Sequence, residues 1–206
     1  MTGQELVAFA RSKLGTPYVY GMKGTMMTQA NYNYLQSRYG KKCVWDSDEK
    51  KVGKVCVDCS GLISWATGVI LGSSQIYDWA IRKESITTIK NAPKGALVWM
   101  RGHVGIYTGL RSGIPYYIAA DGSAYGVREV PLSKNKFTHW LLMDYITYER
   151  GDGEMVEKGK IIVDGEEVPV ELIFKDGTNY VKVRDLGEAL GCKVSSNGKI
   201  AVLERQ

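Results

Sequence analysis

Leu6, Ala10 and Leu14 recur at helical spacing, Thr2 and Glu5 form a capping box before them, and Gly15 with Pro17 closes the run. The chain therefore opens on a short amphipathic helix. A second helix is predicted over residues 28–39, stopped by Gly40, and residues 41–57 are polar and lysine-rich, which predicts a loop. A third helix starts near Ser60. Its Leu62, Ile63, Trp65, Ala66, Val69 and Ile70 leave no polar face, which predicts burial. A short helical stretch follows over 76–82. From Gly95 the period changes to that of strands, predicted at 96–100, 103–108, 116–121, 126–132 and 140–148, all rich in β-branched and aromatic residues.

Helices first and strands afterwards predict an α+β domain with helices packed on an antiparallel sheet. Arg150-Gly151-Asp152-Gly153-Glu154 reads as a linker, giving a first domain at 1–149, a linker at 150–158 and a second domain at 159–206. In the second domain, Asp164-Gly165, Asp176-Gly177 and Asn197-Gly198 are turn signals, and a short helix over 184–190 ends at Gly191. The pattern is βββαββ, a small mixed α/β module.

Composition changes this picture little: 44% hydrophobic and 24% charged residues are ordinary globular values, so a real core is expected. No apolar run reaches the ~18 residues of a membrane span, and the N-terminus lacks the basic start and apolar stretch of a secretion signal. Charge changes it more. Residues 151–206 hold 8 basic and 11 acidic side chains, whereas residues 1–150 hold 19 basic and 11 acidic ones. A basic first domain favours an anionic partner. No aromatic RNA-binding signature or basic helix points to nucleic acid.

Four cysteines and two histidines make neither a disulfide framework nor a histidine-rich zinc site. Cys59 does stand at the start of the third helix, where free N–H groups and the helix dipole favour a thiolate and offer donors to an oxyanion. His103, flanked by Gly102 and Gly105 at the start of a strand, is the candidate base to pair with such a nucleophile. Cys56-Val57-Asp58-Cys59 is also a C-x-x-C. It admits a zinc site completed by Cys43 and His103, or a reversible Cys56–Cys59 disulfide that silences the nucleophile.

Leu14-Gly15-Thr16-Pro17-Tyr18-Val19-Tyr20-Gly21, Asp58-Cys59-Ser60-Gly61 and Gly102-His103-Val104-Gly105-Ile106-Tyr107 occur in the order and spacing of the NlpC family of cell-wall cysteine peptidases, which they resemble. The resemblance covers roughly residues 3–148, and segments 50–63 and 137–140 resemble the branch found in clostridial phage endolysins. It implies a papain-like fold, no cofactor, and hydrolysis of an amide in the peptidoglycan stem, D-glutamyl to diaminopimelate or lysine. It also implies action at the bacterial cell wall, with anionic wall polymers as further partners and phage holin release or a phage tail as the delivery route. By position, Cys59 is the nucleophile and His103 the base, while Tyr18, Asp58 and Ser60 serve substrate and oxyanion. The family's third residue, which orients the base, falls on Ala119, and alanine cannot hold an imidazole. Asp121 lies two residues on along the same strand face and is the candidate substitute, with a backbone carbonyl or a water as the other options. An amidase acting on the L-alanine bond and a non-catalytic wall-binding module remain as alternative readings. Residues 163–191 resemble the copper amine oxidase N-terminal-like domain, an accessory module that carries no copper chemistry.

Overall fold

The computed structural model describes residues 1–148, 157–175, 178–197 and 200–205. The chain divides into two units, Met1–Gly151 and Asp152–Gln206.

In the first unit, α1 (Gly3–Ser12) starts at the Thr2 capping box and buries Leu6, Val7 and Ala10. Leu14 falls beyond its end and is exposed, because the helix stops before Gly15 at φ 83°. β1 (Lys23–Met26) leads to α2 (Gln29–Tyr39), whose N-cap is Thr28 and which ends at Gly40. The 41–57 stretch is more than a loop. It holds a 3-10 turn at Asp46–Lys51 and the strand β2 (Val55–Val57), which pairs antiparallel with β1. Period-2 signals need length, and a three-residue strand offers none.

α3 (Cys59–Thr67) follows at once, with Asp58 as its N-cap and Gly68 ending it in the left-handed region at φ 75°. Ile70 therefore leaves the helix and is 73% exposed, against the predicted burial. α4 (Ser73–Trp79) begins earlier than the sequence pattern suggests, and its neighbour β3 (Arg82–Ser85) takes up Arg82, which that pattern assigns to the helix.

β4 (Leu97–Met100), β5 (His103–Arg111), β6 (Ile114–Ala120), β7 (Val127–Pro131) and β8 (His139–Leu142) complete a six-stranded antiparallel sheet in the order β3-β8-β4-β5-β6-β7. The last strand, predicted over 140–148, already ends at Leu142. Helices α1 and α3 cover one face, where Leu6, Ala10, Leu62 and Ile63 meet Val104, Ile106, Ile118 and Ala120. On the other face Tyr107, Tyr117, Ala119, Phe137 and Trp140 form a second cluster. This is the α+β, papain-like arrangement of helices on an antiparallel sheet.

The second unit runs β9 (Glu157–Val163), β10 (Glu166–Lys175), β11 (Thr178–Val181), α5 (Val183–Ala189), β12 (Cys192–Asn197) and β13 (Ile200–Arg205). The βββαββ order is the predicted one. Asp164 and Gly165 both adopt positive φ between β9 and β10, as a two-residue hairpin turn requires. Gly187 lets α5 approach β12: a Cβ there would lie 2.2 Å from Val194 Cγ2. The predicted turns at Asp176-Gly177 and Asn197-Gly198, and residues 150–156 of the predicted linker, lie outside the fully described residues, while Glu157 and Lys158, also predicted as linker, belong to β9.

Candidate active site

Three segments converge on Cys59. The first is its own helix. Cys59 opens α3 and the first intrahelical donor is Leu62, whose N–H reaches the Asp58 carbonyl at 3.1 Å. Gly61 N–H is taken by the Asp58 carboxylate, so the N–H groups of Cys59 and Ser60 have no intrahelical acceptor. Cys59 itself is 6% exposed.

The second segment is Pro17–Val19. Val57 N–H donates to the Pro17 carbonyl at 3.1 Å and Val19 N–H to the Val57 carbonyl at 3.2 Å, a parallel bridge that fixes Tyr18 beside the strand leading into the nucleophile. Burial, then the negative charge of Cys59 and Asp58, push the Tyr18 phenol above its ordinary pKa. It stays a neutral hydroxyl and hence a donor.

The third is the β5–β6 pair. Gly102, at φ 82°, closes the short turn that pairs Met100 with His103 and makes His103 the first residue of β5. β5 and β6 pair Ile106 with Ile118, and the same register carried outward sets His103 opposite Asp121. Residues directly opposite point the same way. His103 Nε2 donates to Asp121 Oδ1 at 2.9 Å. With Nε2 committed to Asp121, Nδ1 is the ring nitrogen left for Cys59, which lies near enough to act on the imidazole's basicity. Burial alone would lower the His103 pKa. Hydrogen bonds with Asp121 and Cys59, and their charges, outweigh it and push the imidazole from 6.5 up to about 9.

Asp121 is held from four directions. Oδ1 also accepts from Asn135 Nδ2 at 2.9 Å, and Oδ2 accepts from Tyr117 OH at 2.8 Å and Arg128 Nε at 2.6 Å. Its side chain is 2% exposed. Burial would raise its pKa, but the His103, Tyr117 and Arg128 bonds hold it below the usual carboxylate range. Ala119, fully buried, packs two residues deeper against Gly105, where a Cβ would come within 3.2 Å of its own. It therefore has no part in orienting His103. Phe137 stacks on the imidazole with centroids 5.7 Å apart.

The side chains of Asp58 and Ser60, which the family resemblance assigns to substrate and oxyanion, are both engaged at the start of α3. The Asp58 carboxylate caps α3, accepts from Gly21 N–H at 2.9 Å and pairs with Lys23 Nζ at 3.0 Å. Ser60 Oγ accepts from the same ammonium at 2.7 Å and donates to Asp58 at 3.2 Å. Both side chains are turned into this buried knot, so only the backbone of Ser60 is left to face an oxyanion. Cys56 belongs to another cluster, with Val19, Met22 and Leu35, and its thiol meets the carbonyls of Lys51 and Lys54. A disulfide with Cys59 requires that side chain to leave its cluster. Among the described residues no three His, Cys, Asp or Glu side chains converge as metal ligands, the Cys43–Cys56–Cys59–His103 set included.

Sequence reasoning missed Lys23, Tyr117, Arg128 and Asn135. Tyr117 alone left a signal, its spacing of four from Asp121 on one strand face; Arg128 comes from the neighbouring strand β7, and Lys23 and Asn135 from other segments.

The profile of the NlpC/P60 family matches residues 15–146. No curated protein matches the chain. Among solved structures, the P60 domain of the M. avium subspecies paratuberculosis antigen MAP1204 is 24% identical over 68% of this chain and 93% of that one, with a TM-score of 0.46. The NlpC/p60 domain of the peptidoglycan hydrolase SagA is 23% identical over 69% of this chain and all (100%) of that one, with a TM-score of 0.44.

Proposed function

Because the chain belongs to the NlpC/P60 family of peptidoglycan hydrolases, we propose that it is a cysteine endopeptidase cutting the wall's stem peptide at the D-glutamyl bond to diaminopimelate or lysine. The observation that supports this most is the His103–Asp121 hydrogen bond beside Cys59, at 2.9 Å. In this mechanism Nδ1 of His103 takes the thiol proton first, and the resulting thiolate attacks the amide carbon. The high basicity of the imidazole favours keeping that proton. The N–H groups of Cys59 and Ser60, with the Tyr18 hydroxyl, hold the oxyanion. The imidazolium then protonates the departing amine, leaving a thioester on Cys59. Water, deprotonated by His103, hydrolyses it. Asp121 keeps the imidazole in the Nε2–H tautomer and steadies its positive form.

The basic first domain favours contact with anionic wall polymers, so clearing should weaken as salt rises. Segments 50–63 and 137–140 extend the reading to an endolysin-type protein delivered by phage, and for the second unit we propose retention on the wall.

Turbidity of purified walls tests the chemistry, with Cys59→Ala as the control. Wild type should clear the suspension, Cys59→Ala should not, and both should melt at the same temperature. Mass spectrometry of the digest should find new amino groups on diaminopimelate or lysine. Equal clearing by the two proteins removes the mechanism, and new L-alanine amines make the enzyme an amidase.

A further inference from the structure

The Asp46–Lys51 turn sends one side chain deep into the first unit. Lys51 Nζ pairs with Asp48 Oδ1 at 2.6 Å and donates to two backbone carbonyls, Tyr18 O at 2.7 Å and Ser123 O at 3.0 Å. Asp48 is fully buried (0% exposed), and its Oδ2 accepts from Trp45 N–H at 2.8 Å and Ser123 Oγ at 3.1 Å. All three ammonium hydrogens are thereby used, on three separate segments.

The choice of segments is what matters. Tyr18 is the residue whose phenol feels Cys59 most after its own burial. Ser123 lies in the Gly122–Gly126 turn that directly follows Asp121, closed by Gly126 N–H to the Gly122 carbonyl at 3.0 Å. One ammonium thus ties the residue beside the nucleophile to the loop behind the imidazole's carboxylate. An ion pair serving only the turn needs Asp48 and Lys51 alone. A charged group taken out of water and committed to two carbonyls is a costly way to hold a surface turn, because burial penalises the ion. The bond directions fit a fastening across the site.

Resting on the peptidase reading, we infer that Lys51 is a positioning residue for it: by binding the carbonyls of Tyr18 and Ser123 together, it sets the spacing between Tyr18 and the Asp121 loop over Cys59. Asp48 supplies the counter-charge that lets the ammonium lie there. Nothing in this role touches substrate. Its loss should therefore slow the chemical step and leave binding nearly intact.

The test is the double variant Asp48→Asn/Lys51→Met. Removing both charges leaves no unpaired buried ion, so the fold should survive. The new asparagine keeps an acceptor for Trp45 N–H, and the new methionine keeps most of the length of the lysine stem. Wild type, the double variant and Cys59→Ala are compared for melting temperature and for kcat and KM on a soluble stem-peptide fragment. The expected result is a native melting profile, a KM within about twofold of wild type and a kcat lowered by about tenfold or more. A folded double variant with wild-type kcat overturns the inference while Cys59→Ala, inactive, leaves the peptidase reading standing. An active Cys59→Ala instead sinks that reading first. Should the double variant not fold, Lys51→Gln carries the comparison, since its amide retains two donors on a shorter stem. A folded Lys51→Gln with undiminished kcat is then the refuting result, and a lowered kcat at unchanged KM the supporting one.

Discussion

Replacing Asp121 with asparagine removes one negative charge and changes almost no volume, so it isolates what the carboxylate does for His103. The span of the imidazole pKa from 6.5 to about 9 corresponds to roughly 3 kcal/mol in favour of the imidazolium. Asp121 comes first among the groups that raise the pKa, ahead of Cys59, so the charge alone can account for a loss of up to roughly 100-fold. Orientation adds to it. Arg128 and Tyr117 both donate to Oδ2, so the single carbonyl oxygen of the substituted side chain should turn toward them. Its NH2 then faces Nε2, which becomes an acceptor. The ring proton moves to Nδ1, the nitrogen that must take a proton from Cys59. A base in the wrong tautomer costs about 10⁴ in a serine-protease triad, which sets the upper bound here. Clearing rates, corrected for folded fraction, should fall between these limits. With two histidines in the chain, the His103 resonance can be assigned by comparison with a His139 variant, and its titration midpoint should drop from about 9 toward 6.5. Asp121→Asn clearing walls at close to the wild-type rate, with an unmoved midpoint, would refute the reasoning.

The folded-state pKa of His103 lies above its ordinary value, so its contribution to stability is complete below 6.5 and is lost as pH rises through about 9. Thermal melts across that window should show the decline in wild type and much less of it in Asp121→Asn. Gly61→Ala places a Cβ 2.3 Å from the Met22 carbonyl and 2.8 Å from Asp58 Oδ1. It should destabilise by about 1–3 kcal/mol, read in denaturant melts, and an unchanged midpoint would mean the loop over α3 is not where we find it. Lys23→Met takes away the ammonium facing Asp58 and Ser60 but leaves Gly21, Gly61 and Ser60 as donors to that carboxylate. The expected loss is about 1–3 kcal/mol, short of that for a stranded buried charge, and a larger loss would show those donors do not suffice.

Signals carried within a few residues are legible in the chain. The Thr2 cap, the second helix and its stop at Gly40, the run of strands from Leu97 and the βββαββ order of the second unit all depend on local dihedral preference and side-chain period. So does the candidacy of Cys59 and His103, which rests on a helix start and a glycine-flanked strand start. Short elements escape, as β2 and β3 show, because so few residues cannot display a period. Ile70 defies its predicted burial because an apolar side chain just past a helix-ending glycine is no longer on the helix's face.

Only the tertiary structure sets Asp121, and not Ala119, against His103. Ala119 against Asp121 is a matter of strand register, and register is set by hydrogen bonds between segments, which no single segment encodes. The same holds for Asp58 and Ser60, whose side chains are both bound by Lys23, a distant residue brought in by the β1–β2 pairing. Lys51 is the extreme case: in the sequence it is one lysine of a polar stretch, and only folding puts the Tyr18 and Ser123 carbonyls within its reach. A sequence can name a nucleophile and a base from their local settings. Their orientation and spacing come from contacts between segments far apart in the chain, and those exist only once the sheet has closed.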